Sequence, residues 1–146
     1  MGRVAEILAG KKPTVHTVDK RATVFEAVKK MVDANVGSLI VTDGDAIHGI
    51  ITERDYLRRI VLEGRTSKTT AVMEVATERL IVVDPSRAVE ECMAMMTAER
   101  IRHLPVVDGG KLIGVISIGD IVKHLSRERE AEVRYLTDYI SGKYPG

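Results

Sequence analysis

The chain has 146 residues, 45% of them hydrophobic, which fits one ordinary domain or two small halves that share a core. A formal net charge of +1 and the lack of tryptophan argue against a nucleic-acid surface, which needs basic patches and stacking aromatic rings. The apolar runs are too short to span a bilayer and the first residues lack a signal-peptide core, so no membrane role is expected. We expect a cytoplasmic protein, or one of an organelle matrix if a targeting segment was removed.

The first half begins with a short arm and a capped helix. Residues 1–13 carry apolar side chains at helical spacing, and Val15 to Val18 predicts a brief strand. Thr23 and Glu26 have the spacing of a capping box, in which a hydroxyl and a carboxylate satisfy the first N–H groups of a helix. An apolar stripe at helical period then predicts the buried face, which comprises Val24, Ala27, Val28, Met31 and Val32.

A hairpin and a second helix complete this half. Residues 38–41 and 47–51 are continuous apolar runs on either side of the turn Asp43-Gly44-Asp45, which predicts two antiparallel strands. Residues 55–62 predict a helix. Residues 63–70 are polar and indicate a linker between the two halves.

The second half repeats the first at an offset of 65 residues, as in the identical pairs Gly49/Gly114, Ile51/Ile116 and Asp55/Asp120. The same elements recur in the same order, beginning with a strand predicted at residues 80–83. Since each half is too small to bury its apolar faces alone, the halves should pack with pseudo-twofold symmetry.

The predicted organisation is an α+β fold (mixed α/β) of two tandem repeats. The first repeat with its arm takes residues 1–64, a linker 65–71, the second repeat 72–125 and a helical extension 126–146. A single apolar edge marks the charged last helix, namely Leu125, Val133, Leu136 and Ile140. That edge either docks on its own domain or forms a dimer contact, and the acidic residues around it argue against a membrane surface.

Two hydroxyl–carboxylate pairs follow predicted strands. Thr52 precedes Asp55 by three residues, and Ser117 precedes Asp120 by the same spacing. A capping box explains this spacing without any ligand. A helix start also favours a bound phosphate, and an aspartate one turn in can accept from both hydroxyls of a ribose. The duplication of the pair favours two related ligand sites.

Neighbouring residues make the two candidate sites unequal. Gly119 would let a phosphate approach the backbone, whereas its counterpart Arg54 either adds charge or is a solvated helix residue. Arg102 and His103 place two cations at the sheet edge of the second half. Their counterparts, Gly37-Ser38, are small and neutral. The second half therefore offers cationic side chains that can bind phosphate, and the first half offers small side chains that leave space for a ligand.

No catalytic or metal-binding constellation is recognisable in the sequence. The four histidines show no zinc-ligand spacing, and P-loop, dinucleotide and nucleophile-elbow motifs are missing. The one cysteine, Cys92, falls on the apolar face of a predicted helix, which favours core packing over redox chemistry. We therefore expect neither a bound metal nor an enzyme.

At these residues the chain resembles a CBS-domain pair, also called a Bateman module, over about residues 3–125. The resemblance rests on the signatures Gly49…Thr52…Asp55 and Gly114…Ser117…Asp120 and on the strand–helix–strand–strand–helix order of each half. Residues 50–58, 101–106 and 138–142 further resemble stand-alone CBS-pair proteins of bacteria and plant organelles.

The resemblance implies that an adenosine nucleotide, AMP, ADP or ATP, binds in the cleft between the repeats. In this sequence the preferred site corresponds to Ser117, Gly119 and Asp120, and Arg102 and His103 would contact the phosphate. The adenine would pack against Val15, His16, Val36, Gly37 and Ser38. The second site carries over as Thr52, Arg54 and Asp55, with adenine against Leu80, Ile81, Ile101 and Pro105. Ile40 in place of a proline, Ala76 where the family often has Met, and neutral Gly37-Ser38 weigh against this second site.

The predicted function is that of a regulatory module that senses adenylates and modulates a partner protein. The resemblance implies a homodimer, and it suggests a thioredoxin-type or metabolic enzyme as the regulated partner. The alternative is a dimeric interaction scaffold with vestigial clefts. An unchanged partner affinity with and without nucleotide would favour that alternative.

Overall fold

The computed structural model describes residues 2–12 and 14–140, with side chains as far as residue 137. Two packing units divide the chain. The continuous unit comprises residues 13–82, and the discontinuous unit comprises residues 1–12 together with residues 83–146. The N-terminal arm therefore packs with the second half of the sequence. The domain boundaries predicted above follow the sequence repeat and stay a prediction, because the packing units cut the chain at other points.

The continuous unit is built on a three-stranded sheet in the order β1 (Thr17–Asp19), β2 (Ser38–Asp43), β3 (Ala46–Thr52). β1 runs parallel to β2, and β2 and β3 form the predicted antiparallel hairpin. Helix α2 (Val24–Ala34) connects β1 to β2. It starts at the predicted capping box, where Thr23 Oγ1 accepts from the Glu26 N–H at 3.1 Å.

Short helical segments lead from this hairpin back to the sheet. Helix α3 (Glu53–Tyr56) continues into a π-helical turn over Leu57–Val61, and 3₁₀ turns follow at Ser67–Thr69 and Val72–Glu74. The chain then reaches the free edge of β3, where Thr77 and Ile50 exchange backbone hydrogen bonds of 2.9 and 3.0 Å. This exchange closes the edge of the sheet.

The discontinuous unit begins with α1 (Val4–Ala9) and continues with α4 (Val89–Glu99). An antiparallel hairpin follows, formed by β4 (His103–Asp108) and β5 (Lys111–Ser117). The long helix α5 (Ile118–Ile140) starts directly after β5. Because α5 is uninterrupted, it crosses the boundary predicted between residues 125 and 126. The tail after residue 140 lies outside the described residues.

Equivalent contacts inside the two units confirm the tandem repeat and the α+β class. Val18 pairs in parallel with Val41, and Val83 pairs in parallel with Val106, 65 residues further on. Helices α2 and α4 end at residues in the left-handed conformation, Asn35 and Arg100, which are also 65 residues apart.

Several predicted details are wrong. The strand expected at residues 80–83 reduces to a bridge, because its backbone bonds to β4 are made at Val83, which donates to the Pro105 carbonyl at 3.0 Å and accepts from the Val107 N–H at 2.9 Å. The strand expected at residues 15–18 covers residues 17–19, and the helix expected at residues 55–62 starts at Glu53. Val32 is 71% exposed, because α2 turns Val24, Ala27 and Met31 to the core instead.

The signature glycines lie where another segment crosses a strand: the N-terminal arm crosses β5, and its counterpart in the second half, the second arm (residues 72–79), crosses β3. A Cβ on Gly49 would lie 2.4 Å from the Thr77 carbonyl oxygen, and one on Gly114 would lie 2.6 Å from Leu8 Cδ2. Both distances are far below van der Waals contact, so a side chain at Gly49 would overlap backbone, and one at Gly114 would require the Leu8 side chain to move. The first glycine of each signature therefore serves arm packing, a role that the sequence analysis did not assign.

Candidate functional site

Ser117 and Asp120 form a reciprocal capping box at the start of α5. Asp120 Oδ2 accepts from the Ser117 N–H at 2.9 Å, and Ser117 Oγ accepts from the Asp120 N–H at 3.1 Å. The strand β5 delivers Ser117, and the helix places Asp120 one turn later. This arrangement satisfies the helix start, and it holds the carboxylate rigidly at the end of the hairpin.

Lys11 from the N-terminal arm contacts the same carboxylate. Its Nζ lies 2.7 Å from Asp120 Oδ2 and donates to the Val115 carbonyl oxygen at 2.8 Å. Lys11 was not predicted as a site residue because its partner is more than a hundred residues away. One signal was available: the N-terminal arm repeats in the second arm at an offset of 68 residues, as in Val4 and Val72, which pairs Lys11 with another basic residue, Arg79.

Thr52 and Asp55 form the corresponding box in the continuous unit. Asp55 Oδ2 accepts from the Thr52 N–H at 2.9 Å and from the Thr52 hydroxyl at 3.1 Å, and the Asp55 N–H donates to Thr52 Oγ1 at 3.2 Å. The carbonyl of Ile50, which corresponds to that of Val115, accepts from the Thr77 N–H instead of from a lysine. The two boxes thus share a backbone design and differ in charge.

The charge difference moves the two carboxyl pKa values in opposite directions. Burial raises the pKa of Asp55 more than the bonds from Thr52 and the nearby arginines lower it. For Asp120, burial also acts to raise the pKa, but the hydrogen bond and charge of Lys11, with the bonds from Ser117, hold it below its ordinary value. Asp120 is therefore the more firmly ionised acceptor of the pair.

Two of the first N–H groups of α5 already donate hydrogen bonds. The Ile118 N–H donates to the Arg102 carbonyl at 2.9 Å, and the Asp120 N–H is bound to Ser117. The Gly119 N–H lies between them, and the described residues give it no acceptor. A Cβ on Gly119 would meet only Ser117 Oγ, at 3.6 Å, so this position is open. An anion could approach the backbone at Gly119.

Both predicted cations of this half lie beside the box. His103 is the cross-strand partner of Ser117 in the β4–β5 hairpin, and Arg102 holds Ile118 through its backbone. The Arg102 side chain is exposed and His103 is half-buried. The discontinuous unit therefore brings the five predicted ribose and phosphate residues of the preferred site together in one place.

The predicted adenine residues are divided between the units. Val15, His16, Val36, Gly37 and Ser38 belong to the continuous unit. Leu80 and Ile81 are half-buried in that same unit, together with Thr52, Asp55 and the exposed Arg54. Ile101 and the buried Pro105 belong to the discontinuous unit. Their roles as ligand contacts stay predictions.

An open depression of about 420 Å³ lies on the continuous unit. Its lining consists of His16, Glu26, Lys29, Lys30, Asp33 and Ala34. His16 is the one predicted site residue among them. The depression therefore adds no support to either predicted nucleotide site.

The described residues contain one mixed group with metal-ligand chemistry. Ligand atoms of Glu6, His124 and Glu128 lie within 4.8 Å of one another, and His124 Nε2 is 3.3 Å from a Glu128 oxygen. Such a group also fits an ion pair between imidazole and carboxylates, so the expected absence of a metal stays a prediction. Cys92 is buried in the core, as predicted, and burial raises the pKa of its thiol.

Replacing the two box aspartates by asparagine should affect the free energy of unfolding differently. The lowered pKa of Asp120 means that its ionised form stabilises the fold at neutral pH, and that this contribution disappears as the pH falls through the folded-state pKa. The raised pKa of Asp55 means that folding favours its protonated form more than the unfolded chain does, and that this contribution to stability is lost as the pH rises through the folded-state pKa.

At neutral pH, Asp120→Asn should therefore lower the free energy of unfolding by ~1 kcal/mol, and Asp55→Asn should leave it unchanged or raise it. The two variants should converge in acid. Urea unfolding across a pH series measures both curves. Equal destabilisation of the two variants at neutral pH contradicts the proposed charge difference.

Three known proteins that are similar to this chain contain the same type of domain. The CBS domain family model matches residues 4–62 and 72–127. A CBS-domain protein named as mitochondrial, CBSX3 of Arabidopsis thaliana, is 46% identical over 84% of this chain, and the chain spans 62% of that relative's length. The CBS domain-containing protein YhcV of Bacillus subtilis is 34% identical over 78% of this chain and 81% of its own length.

A solved structure agrees with the sequence relatives. A CBS-domain protein from Burkholderia ambifaria is 52% identical, with a TM-score of 0.82 over 84% of this chain and 93% of its own. None of the three relatives is named as an enzyme. Within residues 2–12 and 14–140, no helix combines the length and the apolar character that crossing a bilayer requires. The two matched segments cover most of the sequence, and the chain belongs to the CBS domain family as a tandem pair.

Proposed function

We propose that this chain is an adenylate-binding regulatory module whose ribose and phosphate grip is the Ser117–Asp120 box. CBS-pair proteins are generally regulatory modules that bind adenosine ligands. The single observation that supports the preferred site is Asp120, a half-buried, firmly ionised carboxylate held at the first turn of a 23-residue helix.

The groups around Asp120 suit the two polar parts of a nucleotide. Each oxygen of a carboxylate can accept more than one hydrogen bond, so Asp120 can take both hydroxyls of a ribose while it caps the helix. The Gly119 N–H, Lys11, and the side chains of Arg102 and His103 supply donors for phosphate. The adenine contacts that the family resemblance implies stay predictions.

The Thr52–Asp55 box is the weaker candidate for a second ligand. The Thr52 hydroxyl already donates to Asp55, and burial raises the pKa of this carboxyl. Gly37 and Ser38 stand where the other half has Arg102 and His103, so phosphate finds fewer cations. We propose that the Asp120 site fills first.

Regulation would follow from ligand-dependent packing. A nucleotide changes the arrangement of repeats or subunits only by as much as it binds one arrangement better than another. CBS pairs often oligomerise, and a homodimer is the state that we propose for this chain. A thioredoxin-type or metabolic enzyme in the cytoplasm or an organelle matrix remains the proposed partner.

Native mass spectrometry of the purified protein tests this function directly. We expect a retained or added adenylate together with a dimer mass. Calorimetric titration should show that 2′-deoxy-AMP binds about tenfold or more weakly than AMP, because one charge-assisted hydrogen bond to Asp120 is missing. Unchanged melting curves with millimolar AMP, ADP, ATP, S-adenosylmethionine and NAD would contradict the proposal.

A second function, a dimeric interaction scaffold without ligand sensing, is favoured by helix α5. Its apolar side chains Val122, Val133 and Leu136 are more than half exposed. Exposed apolar side chains along one helix are typical of a surface for another protein. Sedimentation with and without AMP separates the two functions, since a scaffold keeps the same association constant in both.

A further inference from the structure

The ammonium of Lys11 occupies one of the two carboxylate oxygens, Asp120 Oδ2, that a ribose diol would use if each hydroxyl bound its own oxygen. Asp120 Oδ2 already accepts from the Ser117 N–H and from Lys11. Ser117 belongs to the backbone of the hairpin and cannot leave. A hydroxyl that reaches this oxygen therefore has to displace Lys11 or share the oxygen with it.

Lys11 can move without unfolding the arm. The arm is fixed by its backbone, since the N–H groups of Val4 and Ala5 donate to the carbonyls of Arg87 and Pro85 at 2.9 Å. The Lys11 side chain is 37% exposed, and its four-carbon stem rotates freely. Its ammonium can swing from Asp120 to a neighbouring group while α1 stays in place.

The cost of displacing Lys11 depends on the charge of the ligand. Removing the ammonium leaves Asp120 and the Val115 carbonyl without a charged donor, and it leaves Lys11 without its counterion. A phosphate group offers Lys11 a new anionic partner close to its old one, and this offsets the loss. Uncharged adenosine offers none. The same lysine thus opposes a nucleoside and assists a nucleotide.

We infer that Lys11 sets the ligand preference of the Asp120 site, in favour of phosphorylated adenosine ligands and against adenosine itself. This inference rests on the proposed function. It concerns the Asp120 site alone, because the corresponding carbonyl of the other unit, that of Ile50, is bound by the Thr77 N–H.

The test compares two ligands on three variants of the full chain. Adenosine and AMP are titrated calorimetrically into wild type, Lys11→Met and Lys11→Arg at one ionic strength. Lys12→Met is the matched control, because Lys12 is the adjacent exposed lysine and was assigned no role in the site. Methionine keeps the apolar stem and removes the charge.

For Lys11→Met we expect the ratio of AMP affinity to adenosine affinity to fall about tenfold, through weaker AMP and stronger adenosine binding. Lys11→Arg and Lys12→Met should keep the wild-type ratio within about twofold, the usual range for a change at a surface charge.

An unchanged ratio in Lys11→Met, with both ligands still binding, overturns the role of Lys11 and leaves the proposed function standing. Wild type that binds neither ligand overturns both. A melting temperature equal to that of wild type shows that Lys11→Met is folded, and Lys11→Arg tests the charge without removing it.

Discussion

Asp120→Ala should weaken AMP binding about a hundredfold, because the loss of two charge-assisted hydrogen bonds to the ribose hydroxyls costs ~3 kcal/mol. Calorimetric titration measures the dissociation constant, and the thermal shift caused by AMP should largely disappear. Asp120→Asn separates the two roles of the side chain, because its oxygen can still accept from the Ser117 N–H while the negative charge is gone.

Two matched variants make this result specific. Asp108→Ala removes an exposed carboxylate from the turn of the same hairpin, and it should leave AMP binding unchanged. Asp55→Ala removes the equivalent carboxylate of the weaker site, and it should affect at most a second, weaker binding event. If Asp55→Ala abolishes binding and Asp120→Ala does not, the preferred site is the wrong one.

Gly49→Ala should reduce the free energy of unfolding by ~2–3 kcal/mol or more, because its Cβ would overlap backbone atoms. The new atom would lie 2.4 Å from the Thr77 carbonyl oxygen and 3.1 Å from its carbon. Backbone cannot rotate away as a side chain can, so the paired hydrogen bonds between Ile50 and Thr77 would break. Urea unfolding measures the loss.

The other signature glycine provides the contrast. A Cβ on Gly114 would meet Leu8 Cδ2, the end of a flexible side chain, at 2.6 Å. Gly114→Ala should therefore cost less than Gly49→Ala, and adding Leu8→Ala should relieve the overlap. Gly119→Ala meets no atom closer than 3.6 Å and serves as a control for a helix position. A Gly49→Ala protein as stable as wild type contradicts this packing of the second arm.

Local patterns in the sequence predicted the local structure well. The Thr23–Glu26 box, both hairpin turns and both hydroxyl–carboxylate boxes depend on residues three to six positions apart. Such contacts are fixed by spacing alone. The repeat offset then predicted equivalent pairing in the two halves, since identical residues at equal spacing meet equivalent neighbours.

Contacts between distant parts of the chain could not be predicted in the same way. The spacing of Lys11 to Asp120 carries no periodic signal, and the ion pair depends on where the arm packs. The strand expected at residues 80–83 was wrong because an apolar run does not reveal how much of its backbone pairs with a neighbouring strand, here the bridge of Val83 to Val106. The packing role of Gly49 could not be predicted either, because Thr77 approaches it only in the folded chain.

The division of the discontinuous unit has a consequence for biosynthesis. Residues 1–12 leave the ribosome before the continuous unit, but the partners of α1 begin at residue 83, after that unit. At about 5–20 residues per second, the arm waits several seconds with Val4 and Ile7 exposed. The continuous unit can complete its sheet during that time. The arm is therefore synthesised before the continuous unit and reaches its packing partners after it.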